Sequence, residues 1–155
     1  MNMLETANRY IEKNKVPKEQ RPAFHVTAPV GWINDPNGFS EYRNQYHLFY
    51  QHHPYIDAWG PMHWGHCTSR DFIKWEELPD ALAPDESYDE GGCFSGSALE
   101  TDEGHALVYT GVIEKEENGI KRPYQNQCLA FGDGKIYKKF AGNSVIDGNQ
   151  LPEGS

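Results

Sequence analysis

The stretch of this chain richest in chemical groups is Gly31-Trp32-Ile33-Asn34-Asp35-Pro36-Asn37-Gly38-Phe39. Pro36 fixes its own φ and biases Asp35 toward an extended backbone. Asn37-Gly38 reads as the turn that follows, because glycine tolerates positive φ. The expectation is a carboxylate held at the rim of a tight turn where a strand begins, with Trp32 and Phe39 nearby as stacking or packing surfaces. A carboxylate so presented is a candidate for nucleophilic or acid–base work. Taken alone, the same pattern also describes a surface turn whose aspartate satisfies backbone N–H groups.

The elements that must position it can be read from spacing. Leu4, Ala7, Tyr10 and Ile11 recur at helical intervals, which predicts a short helix over 3–14 ended by Pro17 and Pro22. Beyond it, helical periodicity disappears. Residues 38–42 and 45–51 predict a hairpin around Arg43-Asn44, and strand-like runs follow at 63–68, 72–77, 94–99, 106–112, 126–131 and 135–140. These eight strands fall into two sets of four that resemble each other, Cys67 and Trp75 of the first answering to Cys128 and Tyr137 of the second. A four-stranded unit repeating every ~40–60 residues is the mark of a propeller blade. Periodicity alone also allows a self-contained eight-stranded sandwich. Residues 142–155 have turn-like composition and read as the lead-in to a third blade.

Composition narrows the classes. Leu, Ile, Val and Phe make up just under a fifth of the chain, yet 9 Tyr and 4 Trp mark it as folded rather than disordered. A formal net charge of −9 argues against general nucleic-acid binding, which needs a basic surface. No apolar run reaches the ~18 residues of a membrane-spanning helix, and the N-terminus has no secretory signal pattern. Cys67, Cys93 and Cys128 suggest no disulfide framework, and a reducing cytoplasm is the expected setting. His63-x-x-His66 has zinc-like spacing, but positions three apart on a strand point to opposite faces, so no metal site is expected. Residues 76–103 hold ten acidic side chains and no Lys or Arg, read as a solvated face.

Asp35 is not isolated. Phe49-Tyr50-Gln51-His52-His53-Pro54 is followed by Trp59-Gly60-Pro61-Met62-His63-Trp64-Gly65-His66, then Ser69-Arg70-Asp71-Phe72-Ile73-Lys74-Trp75, Phe94-Ser95-Gly96-Ser97 and Gln127-Cys128-Leu129-Ala130. In this order the strings resemble glycoside hydrolase family 32, the β-fructofuranosidases, from about Arg21 to Phe140. The resemblance implies an all-β fold, a five-bladed β-propeller of which about the first two blades are present. A helix and linker at 1–20 would precede an incomplete catalytic domain at 21–155. It implies Asp35 as the nucleophile of a retaining hydrolase. Ile33, Asn34, Gln51, Trp59, Phe94 and Ser95 would bind the fructosyl unit of sucrose, sucrose 6-phosphate or a short fructan. No cofactor or metal is implied. Retaining enzymes use two carboxyl groups ~5–5.5 Å apart, one as nucleophile and one as general acid.

The sequence also departs from the family. Its Arg-Asp-Pro and Glu-Cys motifs, the second of which carries the general acid, have no counterpart here; Arg70-Asp71 belongs to a different string. Glu100, Glu103 and Glu114 are available carboxylates without motif support. The expectation is an enzyme fragment inactive by itself, prone to self-association through unpaired propeller edges. The alternatives are a non-catalytic sugar-binding propeller fragment and a related five-bladed glycosidase or fructosyltransferase.

Overall fold

A computed structural model describes residues 2–117, 119–147 and 150. Helix α1 spans Met3–Asn14. Asn2 caps it, its side-chain oxygen accepting from the Glu5 N–H at 2.8 Å. Only Ala7 is buried on its inner face, toward the fourth strand. A single 3₁₀ turn at Lys18–Gln20 follows.

Among the described residues, eight strands form two antiparallel four-stranded meanders in simple chain order. Blade 1 consists of β1 (Trp32–Tyr42), β2 (Gln45–His53), β3 (His63–Ser69) and β4 (Trp75–Leu82); blade 2 of β5 (Gly92–Thr101), β6 (Gly104–Glu117), β7 (Ile120–Gly132) and β8 (Tyr137–Lys139). Strand number and grouping follow the sequence expectation. The predicted β1–β2 hairpin is present, with Arg43 and Asn44 at φ 51° and 58°, as a type I′ turn requires. The repeat is also real at the level of turns. Asp71 Oδ1 accepts the N–H groups of Ile73 and Lys74, and Asp133 Oδ1, at the matching place in blade 2, those of Lys135 and Ile136. Those donors hold both carboxyls below their ordinary range.

Two expectations are corrected. Asn37-Gly38 makes no turn: both lie inside β1, which begins at Trp32 rather than Gly38 and is broken by two register shifts, between Ile33 and Pro36 and between Asn37 and Ser40. Pro36 is tolerated because β1 is an edge strand and bulged there. Gly38 is required because its φ is +52° and a Cβ would meet the Phe49 ring at 2.8 Å. Phe72 likewise belongs to a turn, at φ 62°, and β4 starts only at Trp75. Of the expected lead-in at 142–155, residues 143–146 run back beside β7. Asn143 stands in for a ladder partner there, bonding both the N–H and the C=O of Leu129. Residues 148, 149 and 151–155 lie outside the described residues.

The core is the seam between the blades. Phe49, Trp64 and Leu82 of blade 1 pack on Leu107, Tyr109, Cys128, Ala130 and Tyr137 of blade 2. Trp64 meets Tyr109 edge-on at 6.3 Å, and Phe49 meets Tyr137 at 5.6 Å. Lys139 clamps the seam from β8, bonding the Ala83 carbonyl, Asp85 and the fully buried Asp89, each at 2.6 Å. Burial opposes its charge, but the surrounding negative groups raise its pKa regardless.

Candidate active site

The first strand of each blade, β1 and β5, lie beside each other, and each is bulged where the sequence placed its chemistry. The β1 shift between Ile33 and Pro36 leaves Asn34 and Asp35 out of the ladder, and the β5 shift between Phe94 and Gly96 does the same for Ser95. A bulge re-aims the side chain of the unpaired residue. Here the two bulges meet: Ser95 Oγ donates to Asp35 Oδ2 across the seam at 3.3 Å. Both side chains are exposed. Asn34 is oriented by Trp32, whose indole N–H donates to Asn34 Oδ1 at 2.8 Å. Ile33 is half-buried and pairs with His52 in the ladder.

The other expected residues gather around β5. Gln51 is buried, 3 % exposed, and its side-chain N–H donates to the Cys93 carbonyl at 3.0 Å. Trp64 donates to the next carbonyl, that of Phe94, at 3.1 Å. Trp59, 60 % exposed, stands in the β2–β3 loop edge-on to Phe94 at 5.9 Å and 85°. That loop is drawn toward blade 2 by the Cys93 N–H, which donates to the Met62 carbonyl at 2.8 Å. The result is an open patch with an exposed carboxylate, a hydroxyl, an amide and two aromatic faces. That combination suits a hydroxyl-rich ligand, which needs fixed polar partners and a stacking surface.

Other candidates lie elsewhere. Phe39 does not share this patch; it packs against Phe72 at 6.1 Å. His63 and His66 take different partners: the first donates to the Pro61 carbonyl, and the second meets His47 at 3.0 Å in the seam. Glu100 is five residues along β5 from Ser95, about 16 Å at strand rise, and the Glu114 carboxylate is bound by Lys121 at 2.9 Å. Neither sits beside Asp35. Sequence reasoning missed the supporting carbonyls of Cys93 and Phe94, because a backbone acceptor leaves no mark on residue type. It also missed the buried contact of His52 with Asp80, two residues ordinary in themselves and brought together only by the meander.

Residues 25–154 match the family model described as the N-terminal domain of glycosyl hydrolases family 32. A sucrose-6-phosphate hydrolase of Zymomonas mobilis is 45 % identical over 136 residues, 87 % of this chain and 27 % of that protein. A levanase of Bacillus subtilis is 44 % identical over 135 residues, 83 % of this chain and 19 % of that protein. Among solved structures, the Bombyx mori β-fructofuranosidase BmSUC1 superposes with a TM-score of 0.84 at 42 % identity, covering 97 % of this chain and 32 % of that one. The chain thus spans between a fifth and a third of the length of these relatives.

Proposed function

The chain belongs to glycosyl hydrolase family 32, and from that premise we propose that it is the N-terminal part of a retaining β-fructofuranosidase. Its substrate would be sucrose, sucrose 6-phosphate or a short fructan, in the cytoplasm. Residues 1–20 would be the helix and linker, and 21–155 an incomplete catalytic propeller domain, its first two blades running from Trp32 to Lys139 and followed by the lead-in to a third.

The observation that carries this reading is the meeting of Asp35 and Ser95 on two facing bulges. Asp35 attacks the anomeric carbon of the fructosyl unit, forming a covalent intermediate as the glycosidic C–O bond breaks. A second carboxylic acid protonates the departing oxygen, then draws a proton from the water that releases fructose. Ser95 orients the Asp35 carboxylate and Asn34 binds hydroxyls, while Gln51, its side-chain N–H committed to Cys93, has only its side-chain oxygen left for one. Trp59 with Phe94 supply the stacking wall, with Ile33 behind them. The acid is expected on the Glu-Cys motif that has no counterpart in these 155 residues, Glu100, Glu103 and Glu114 lacking motif support for that role. The chain by itself therefore binds sugar without turning it over, and its uncovered blade faces favour self-association.

Glucose release from sucrose by the 155-residue chain, beside its Asp35→Asn variant, tests the division of labour. No release from either, with fructose binding retained, fits the proposal. Release abolished by the variant would mean that this chain or its oligomer holds its own acid. A longer polypeptide carrying the remaining blades that turned over sucrose equally well with Asp35→Asn would remove Asp35 as nucleophile and favour a non-catalytic sugar-binding role for this surface.

A further inference from the structure

We propose that the buried His52–Asp80 pair is a positioning device for the strand that carries Asp35, acting through the Val30 carbonyl at the point where the chain turns into β1. The importance of that strand rests on the reading of Asp35 given above; the geometry does not. His52 is fully buried, and its two ring nitrogens face groups that own no proton. Nδ1 lies 2.9 Å from both oxygens of Asp80, and Nε2 lies 2.8 Å from the Val30 carbonyl. Neutral imidazole has one N–H and can serve only one of them. Both bonds require the imidazolium, and the Asp80 carboxylate beside it supplies the counter-charge a buried cation needs.

The pair is itself held. Asn8 of α1 accepts the Asp80 N–H at 2.7 Å and donates to the Asp80 carbonyl at 3.2 Å. On the other side, Gly31 sits at φ +75°, and a Cβ there would strike the His53 carbonyl, so the path between Val30 and Trp32 has little slack. Trp32 and Ile33 then pair with His53 and His52 in the ladder. The four residues before Asn34 are thus tied to β2 by backbone and to β4 through the imidazolium. Trp32 passes the placement on through its bond to Asn34 Oδ1. Loss of the His52 proton removes one of the two side-chain bonds and frees this end of β1 alone.

The ring 15N signals of His52 and the Trp32 indole N–H signal, followed by NMR against pH, test this. The titratable neighbours are distinguishable. Burial and the Asp80 charge push Tyr50 and Tyr55 up, and burial holds His63 down at about 4; His53, next along β2, donates to Ala58. The expected result is two His52 ring N–H signals at neutral pH. In Asp80→Asn one of them is lost and the Trp32 indole signal shifts, while amides of blade 2 such as Leu107 stay in place. A Trp32 signal that does not move when His52 loses its proton would reduce the pair to a stability element. If Asp80→Asn fails to fold, the alkaline titration of the unaltered chain decides, since the Trp32 shift must share the His52 midpoint. Neither arm depends on what Asp35 does, so failure here is separate from failure of the glucose assay.

Discussion

The two blades present the same face to different neighbours. On blade 2 that face carries Tyr109, Cys128 and Tyr137 and packs on the aromatic side of blade 1. On blade 1 the matching face carries Tyr50, Cys67 and Trp75 and is covered by the irregular segment 21–27. Arg21 staples that segment down, donating to the Thr27 side chain and carbonyl and pairing with Glu77 of β4. The cover is thin: Phe24 within it is 63 % exposed. One blade–blade contact buries large rings on both sides, whereas one peptide segment hides two side chains and leaves its own aromatic in water. Repetition in sequence therefore does not make the two blades energetically equal.

The comparison is broken or sharpened most directly at the matching pair Tyr137 and Trp75. Tyr137 is 5 % exposed in the seam, and Tyr137→Ala should cost about 3–5 kcal/mol of unfolding free energy, the usual range for emptying a buried aromatic site. Trp75 is only half-buried, and Trp75→Ala should cost about 1–2 kcal/mol. Urea denaturation of both variants measures the difference, and equal losses would show that segment 21–27 seals its face as well as a blade does.

Acidity separates the two sides with opposite sign. In the seam, His105 donates from Nε2 to Ser40, whose hydroxyl is committed to the Gly38 carbonyl, and accepts from Tyr137 on Nδ1 at 2.7 Å; it is neutral. Burial, with His47 adding to it, lowers its pKa from 6.5 to about 4, and burial lowers those of His47 and His66 as well. The unfolded chain then binds more protons between pH 6.5 and about 4, so stability falls as pH drops through that window. For His52 burial lowers the pKa, but the Asp80 charge and hydrogen bonds outweigh it and the pKa is raised. Its contribution is fully present below the unfolded value and is lost as pH rises through the folded one. Thermal midpoints across pH should fall on both sides. His105→Gln, which can keep both bonds, should flatten the acid limb only; flattening of the alkaline limb instead would contradict the assignment.

The smallest expected effect concerns the thiols. Burial pushes Cys67 up to about 12 and Cys128 up to about 11, so both are inert in the native chain. Arg21→Ala should loosen the cover and speed labelling of Cys67 by a neutral-pH thiol reagent, leaving Cys128 slow. Parallel acceleration of both would mean global destabilisation rather than local opening.

Much of this was legible in the residues. Apolar spacing and Pro17 marked α1, and Arg43-Asn44 between two alternating runs marked the first hairpin. Cys67 and Trp75, answering to Cys128 and Tyr137, made the repeat visible, and the structure extends it to the Asp-centred turns at 71 and 133, where turn chemistry is local and demands particular side chains. The ordered strings around Asp35 located the candidate site. What spacing misjudged was Asn37-Gly38: the dipeptide favours a turn by itself, but pairing with Phe49 and the space left by Gly38 under that ring hold it in a bulged strand.

The sequence by itself thus determined the number and grouping of the strands, the Arg43-Asn44 turn and which carboxylate stands among hydroxyl and aromatic groups, since each depends on neighbours a few residues away. Only the tertiary structure decided that Asp35 meets Ser95, 60 residues on, that Gln51 is committed to the Cys93 carbonyl, and that the His52 ring lies between Asp80 and the Val30 carbonyl. Those facts depend on the register of the strands and on where one blade lies against the next, which are settled by packing over the whole chain.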